Sequence, residues 1–202
     1  MPDAVTFFSV DVETSALSLA RGRLLTIGIV PVRFVRSGGS FVYEMLDGRF
    51  YVRIDRADEL ARDLWRTDPD SAYSFWSRQD AAVRGEAYED LSLERVTPER
   101  AAFDLQHWTC SIEPHQEQRV FVANPVAFDK MWVDSLFDEV GIDGPFHWRS
   151  LCLRSMKFGL TPNSSWGDDR EGHEPKIPHH ALSDAEAQAY DLIDMLTRRE
   201  NP

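Results

Sequence analysis

Positive charge is what this 202-residue sequence has least of: 22 Lys and Arg stand against 34 Asp and Glu, for a formal net charge of −12. That balance argues against a broad electrostatic grip on a polyanion, because such a grip scales with the cations presented to the phosphates. Taken alone, it favours a small-molecule enzyme or a protein-binding module. Cysteine is nearly absent. Cys110 and Cys152 sit in neither a C-x-x-C pair nor a zinc-like cluster. No run of eighteen apolar residues exists, so no membrane-spanning helix is expected. Met1-Pro2-Asp3 lacks the basic start and apolar stretch of a secretory signal. A cytoplasmic protein with reduced thiols is the expectation. There is no internal repeat and no appended basic module. What is present is a hydrophobic fraction of 43% and an aromatic share of 11%, enough to build a core. The length suits one domain over residues 1–202.

Residues 5–12 (VTFFSVDV) are short, apolar and rich in β-formers, and read as a buried strand. Residues 24–35 continue in that style, with Pro31 suggesting an edge or a bulge. Gly38-Gly39 marks a turn, and 40–52 gives a third strand interrupted near Asp47-Gly48. Strands joined so tightly are antiparallel neighbours, so the chain opens on a three-stranded meander. Helical patterns follow at 69–79, around Trp76, and at 81–88. Thr97-Pro98-Glu99 is a cap followed by proline at the first helical position, opening a helix to about Ser111. Residues 119–123 (RVFVA) form a fourth strand. Asn124-Pro125 repeats the cap-plus-proline signature ahead of a helix to Val140. Residues 146–148 are a candidate fifth strand, with a helix over 150–158. The stretch 161–178 is polar, with three prolines and two glycines, and reads as a loop. The last helix is expected from Ser183, with Ala185, Ala189, Leu192 and Leu196 toward the core. A meander followed by alternating helices and strands predicts an α/β domain on a mixed five-stranded sheet flanked by helices.

Three separated fragments carry chemistry. Asp11-Val12-Glu13-Thr14 ends the first strand, where residues two apart point to one side and two carboxylates can reach one metal. A D-x-E is common in so acidic a chain, and Asp184-Ala185-Glu186 is a second copy. Position sets the first apart, because an apolar strand running into two carboxylates places charge at a sheet end. The second fragment is 121–129 (FVANPVAFD), a strand leading into a helix whose first turn carries Asp129. The alternative reading of Asp129 is an acid favoured by the helix dipole, and that of Asn124 a plain cap. The third is His179-His180-Ala181-Leu182-Ser183-Asp184. Of the six histidines only His179 has a carboxylate five positions on. A histidine just ahead of a helix bearing a carboxylate can take a proton from water at a metal site. His180 is its local rival.

Together these fragments run in the order D-x-E, then Asp, then H-x4-D. At this point the sequence resembles the DEDDh 3′–5′ exonucleases of the ribonuclease H-like superfamily. The likeness extends through VDVETSALSLARGRLLTIGIVPV, NPVAFDKMWV and HHALSDAEAQA. Trp76 in FWSRQ resembles the exonuclease VIII and mycobacterial exoribonuclease branch. Leu151-Cys152-Leu153-Arg154-Ser155 is similar to that branch's D-x-R-T segment, with Cys152 where an acid is expected.

The resemblance implies a two-metal nuclease releasing nucleoside 5′-monophosphates from single-stranded RNA or DNA 3′ ends or from short oligonucleotides. Four carboxylates meeting at a sheet end repel one another unless cations sit among them, and hard oxygen ligands suit Mg²⁺ or Mn²⁺. Bound cations also answer the objection from net charge. By resemblance Asp11, Glu13 and Asp184 hold one ion, Asp11 and Asp129 support a second, and His179 is the general base. Thr14 is a candidate contact for the terminal nucleotide, and Leu17 a candidate wedge beside the last base, against ordinary packing. Phe128 and Trp166 are candidate stacking aromatics, with a core position the alternative for Phe128. A homodimer follows only from resemblance to ribonuclease T and oligoribonuclease. The alternative function is a catalytically silent nucleic-acid- or protein-binding module on the same fold.

Overall fold

The computed structural model describes residues 4–37, 40–57, 59, 72–160 and 173–200. Its centre is strand β1 (Ala4–Thr14), flanked by β2 (Leu24–Ser37) running antiparallel and β5 (Arg119–Ala123) running parallel. β3 (Ser40–Met45) and β4 (Phe50–Arg53) both pair with β2, one beyond the other, and β6 (Ser150–Cys152) closes the far edge against β5. The sheet therefore has six strands, in the order β3-β2-β1-β5-β6 with β4 beside β2, rather than five. The expected third strand divides at 46–49, where the Asp47-Gly48 interruption lies.

Pro31 does not mark an edge strand. β2 is flanked on both sides, and Pro31 falls between the end of the β4 pairing at Ile29↔Phe50 and the start of the β3 pairing at Val32↔Met45. Its carbonyl accepts from Leu46 N at 3.0 Å, so its nitrogen faces the break between the two partners, where a missing N–H is harmless.

Helices cover both faces. Phe8, Val10 and Val12 alternate out of β1 onto one face, which packs on α3 (Pro98–Ile112) and α4 (Val126–Val140) through Leu105, Trp132, Val133, Leu136 and Phe137. The other face, with Val30 and Val32, packs on α6 (Ala181–Glu200) through Ala185 and Ala189. Small residues at those positions let helix and sheet approach closely. The remaining helices are α1 (Ala72–Trp76), α2 (Ala81–Arg84), which runs on into a π-turn over Gly85–Glu89, and α5 (Leu153–Leu160). The part of the expected 69–79 helix before Ala72 lies outside the described residues, as do the Gly38-Gly39 turn and 161–172.

Three expected boundaries move. Thr97 caps α3 as expected, its side chain accepting from Arg100 N. Asn124 does not cap α4. Pro125 holds that place without a side-chain bond, and Asn124 Oδ1 is buried with no partner among the described residues. The fifth-strand expectation at 146–148 shifts to 150–152, because the free edge of β5 over Phe121–Ala123 pairs those residues before α5 starts. α6 begins at Ala181, two residues early. His180 caps it, its Nδ1 accepting from Ser183 N at 3.4 Å, while Ser183 Oγ accepts from Ile177 N instead.

The sheet registers place α6. Asp11 lies opposite Gly28 and Gly28 opposite Tyr51, so all three point to the α6 face. A Cβ on Gly28 would stand 2.2 Å from Leu182 N and 2.3 Å from Ala181 C. The first turn of α6 thus rests on bare strand backbone. Gly28→Ala is expected to lower stability by about 3 kcal/mol, the upper end for overpacking, because both obstructing atoms are backbone. Urea denaturation reads this directly. A midpoint equal to wild type would contradict the contact.

Candidate active site

Close seating of α6 on Gly28 carries Asp184, in the first turn of that helix, over the end of β1. Oxygen atoms of Asp11, Glu13 and Asp184 lie within 4.8 Å of one another. Asp129 arrives from the other side. The β1–β5 ladder stops at Ser9↔Val122, so β1 runs on with a bare edge, and there Asp129 Oδ1 accepts from Val12 N at 3.1 Å. That bond ties the Asp129 carboxyl to Val12, the residue between Asp11 and Glu13 in the chain. The two halves of the sequence meet here because the central strand outlasts its parallel partner.

The electrostatics follow from the crowding. Burial, then the charges of Asp129, Glu13 and Asp184, push the Asp11 carboxyl well above the usual carboxylate range, against a hydrogen bond from Gln188. Burial, then Asp184 and Asp129, do the same to Glu13. Burial raises Asp129 to about 7, held back by the Val12 N–H. Gln188 Nε2 donates to Asp11 Oδ1 at 2.8 Å, while its own Oε1 is buried with no partner among the described residues. Such a group of oxygens, desolvated and mutually repelling, with a buried amide oxygen left over, fits hard divalent cations.

His179 occupies the turn before α6 with φ +61, the left-handed region that a side chain with a Cβ rarely adopts. Its ring meets the edge of Phe75 at 4.8 Å between centroids. Phe75 packs against Trp76, and Trp76 Nε1 donates to Thr14 O at 2.9 Å. Trp76, buried among Leu25, Val83, Ala87 and Tyr88, thereby ties α1 to the end of β1. His180 is turned elsewhere. Its ring stacks on Tyr51 at 4.7 Å, and its Nε2 lies 3.4 Å from Glu86 Oε1.

Comparison with known proteins gives the family. Residues 6–193 match the Rv2179c-like family, described as the 3′–5′ exoribonuclease Rv2179c-like domain. The chain belongs to this family. It is also 30% identical over 127 residues to the 3′–5′ DNA exonuclease Cap18 of Escherichia coli, covering 58% of this chain and 67% of that protein. Among solved structures it is similar to E. coli exonuclease I in a zinc-bound complex with single-stranded DNA, with TM-score 0.62 and 15% identity over 98% of this chain. Exonuclease I of Methylocaldum szegediense is similar at TM-score 0.56 and 11% identity. At these identities the likeness is one of fold, and it establishes the ribonuclease H-like architecture. The chain spans 41% of the length of both exonuclease I chains.

The family's expected nucleotide contacts are placed unevenly. Leu17 is 79% exposed, so it is not a packing residue. Thr14 is buried; its hydroxyl donates to Ala16 O at 2.8 Å and its carbonyl receives Trp76, which leaves the hydroxyl lone pairs to act as acceptors. Phe128 is half-buried against the core and edges onto Trp132. Trp166 lies outside the described residues. Two residues escaped sequence reading. Gln188 could have been found, since it sits four residues after Asp184 and so shares its helix face. Glu86 carries no such signal, because a π-turn has no sequence period of its own.

The raised carboxyls make stability depend on pH. Asp129 ionises near 3.8 when unfolded and near 7 when folded, so folding favours its protonated form. That contribution is fully present below pH 4 and is lost as pH rises through 7. In metal-free protein, Asp129→Asn, which keeps an acceptor for Val12 N, is expected to raise stability at pH 8 by up to about 4 kcal/mol, about three pKa units at about 1.4 kcal/mol each. The gain should vanish near pH 4. Urea denaturation at both pH values checks it, and coincident curves at pH 8 would refute it.

Proposed function

We propose that this chain is a metal-dependent 3′–5′ exonuclease, active as one domain, that trims single-stranded RNA or DNA 3′ ends and short oligonucleotides to nucleoside 5′-monophosphates. The observation that carries the proposal is the meeting of Asp11, Glu13 and Asp184 within 4.8 Å at the end of the central strand, with Asp129 beside them. Family membership supplies the reaction class. The family's description names an exoribonuclease and the E. coli relative a DNA exonuclease, so the sugar preference is a matter for the assay.

Asp11, Glu13 and Asp184 would hold one Mg²⁺ or Mn²⁺, and Asp129 with Asp11 a second. Bound there, the cations would neutralise the acids and stabilise the attacking and leaving oxygens of an in-line displacement. His179 takes the proton of the attacking water as it adds to the terminal phosphorus; the bond to the 3′ oxygen of the preceding nucleotide breaks, and that oxygen takes a proton from solvent, leaving a 5′-monophosphate and a new 3′ hydroxyl. His180 is unsuited to that role, because Nδ1 accepts from the helix and Nε2 faces Glu86. Gln188 holds Asp11 in the orientation a shared ligand needs. Leu17 is the wedge beside the terminal base, Thr14 a contact to the terminal nucleotide through backbone or hydroxyl, and Phe128 and Trp166 stacking surfaces. A net charge of −12 weakens duplex-wide binding more than end-directed chemistry. No helix among the described residues is long and apolar enough to cross a membrane, and both cysteines are free thiols, in keeping with a cytoplasmic enzyme. A homodimer is the assembly we propose on family resemblance, readable by light scattering.

A silent binding module on this fold would have no reason to keep four acids that repel one another. The test is hydrolysis of 3′- and 5′-labelled single strands, as RNA and DNA, with Mg²⁺, Mn²⁺ or EDTA. Stepwise mononucleotide release from the 3′ end is expected, abolished by EDTA and by Asp11→Ala, and lowered roughly 10²- to 10⁴-fold by His179→Ala. Gln188→Leu should weaken Mn²⁺ binding on the order of 10-fold by titration calorimetry. Binding of strands without metal-dependent cleavage would establish the silent module instead.

A further inference from the structure

One carboxylate outside the acid cluster gathers three side chains beside the turn that carries His179. Glu86, on the π-turn after α2, pairs with Arg53 Nη2 from β4 and lies 3.4 Å from His180 Nε2. The Tyr51 hydroxyl, also from β4, donates to it as well; burial and then the Glu86 charge hold that phenol above its ordinary ionisation range. The three donors support one another. The Tyr51 ring stacks on His180 with an interplanar angle of 21°, and the Arg53 guanidinium stands 4.9 Å from the Tyr51 centroid. Arg95 fastens the π-turn itself, donating to Ala87 O at 3.0 Å. His180 Nδ1 accepts from Ser183 N, so the ring proton is on Nε2 and aimed at Glu86.

These contacts end one residue from His179, whose φ of +61 persists only where the surrounding structure holds it. On one side the turn is held by the edge of Phe75 against the His179 ring. On the other it is held through His180. We propose that Glu86 is a positioning residue for His179: by fixing His180 against β4 it keeps the turn left-handed and the His179 ring in register with the acid cluster. Glu86 touches neither substrate nor metal ligand in this role. The inference rests on the reading of His179 as the general base.

The experiment compares Glu86→Ala, Glu86→Gln and His180→Asn, each alone and combined with His179→Ala. Asparagine at 180 can still cap α6 but reaches neither Tyr51 nor Glu86, so it tests the link even where Glu86→Ala folds poorly. kcat and KM are measured with Mn²⁺ on a single-stranded oligonucleotide, beside Mn²⁺ affinity by calorimetry. Glu86→Ala and His180→Asn should each lower kcat roughly 10- to 100-fold, the scale set by misplacing a reacting group by about 1 Å. KM and Mn²⁺ affinity should stay within about twofold of wild type, a split that general loosening of the site would not produce. Glu86→Gln, which keeps an acceptor, should recover most of kcat. In the His179→Ala background the other substitutions should have no further effect.

An equal loss in that background, or weakened Mn²⁺ binding, would overturn the positioning role. So would wild-type kcat in Glu86→Ala and His180→Asn while His179→Ala is inactive. Full activity of His179→Ala would instead remove the base assignment, and Glu86's role with it.

Discussion

A helix backbone rests on a strand backbone at Gly28, and the site is arranged around that contact. Any side chain there would lift the first turn of α6 off β2 and carry Asp184 away from Asp11 and Glu13. The contact also explains the small residues Ala181, Ala185 and Ala189 along the buried face of the helix. Close packing without side chains between the elements gives the carboxylates a fixed separation, as a metal site requires.

That rigidity works against electrostatics. Burial and mutual repulsion raise Asp11, Glu13 and Asp129 together, so the fold is stabilised in spite of its own site. What opposes the repulsion is a few hydrogen bonds: the backbone N–H groups of Val12 and of Asp129 itself for Asp129, and one side-chain amide for Asp11. Cations binding the folded state alone would add to stability by mass action. Function and folding are thus coupled through the same oxygens, the usual situation where a constellation is built for a ligand rather than for the apoprotein.

The segment between the meander and α3 acts as a buttress. Trp76 grips the end of β1 through Thr14, Phe75 bears on His179, and Glu86 collects Tyr51, Arg53 and His180. These contacts span residues 14 to 180, so the α1–α2 segment joins the first and last motifs. In this acidic chain, Arg53 and Arg95 are spent on internal fastening rather than on a basic surface.

The sequence by itself pointed to the α/β class, the opening meander and the four acids that the fold brings to the end of the central strand. These are properties of local pattern: an apolar run ending in D-x-E places charge at a strand end, and H-x4-D places its acid in the first turn of a helix. The third strand's division at 46–49 was likewise visible as an interruption at Asp47-Gly48. Tertiary structure alone decided the rest. Ser150 to Cys152 are strand because the β5 edge was free, and α6 starts at Ala181 because His180, no ordinary cap, is held in place by Tyr51 and Glu86. Gln188 and Glu86 acquire roles only when distant strands bring Asp11 and Tyr51 beside them. Such roles depend on which backbones approach one another, and that is set by packing across the sheet rather than by the residues on either side in the chain.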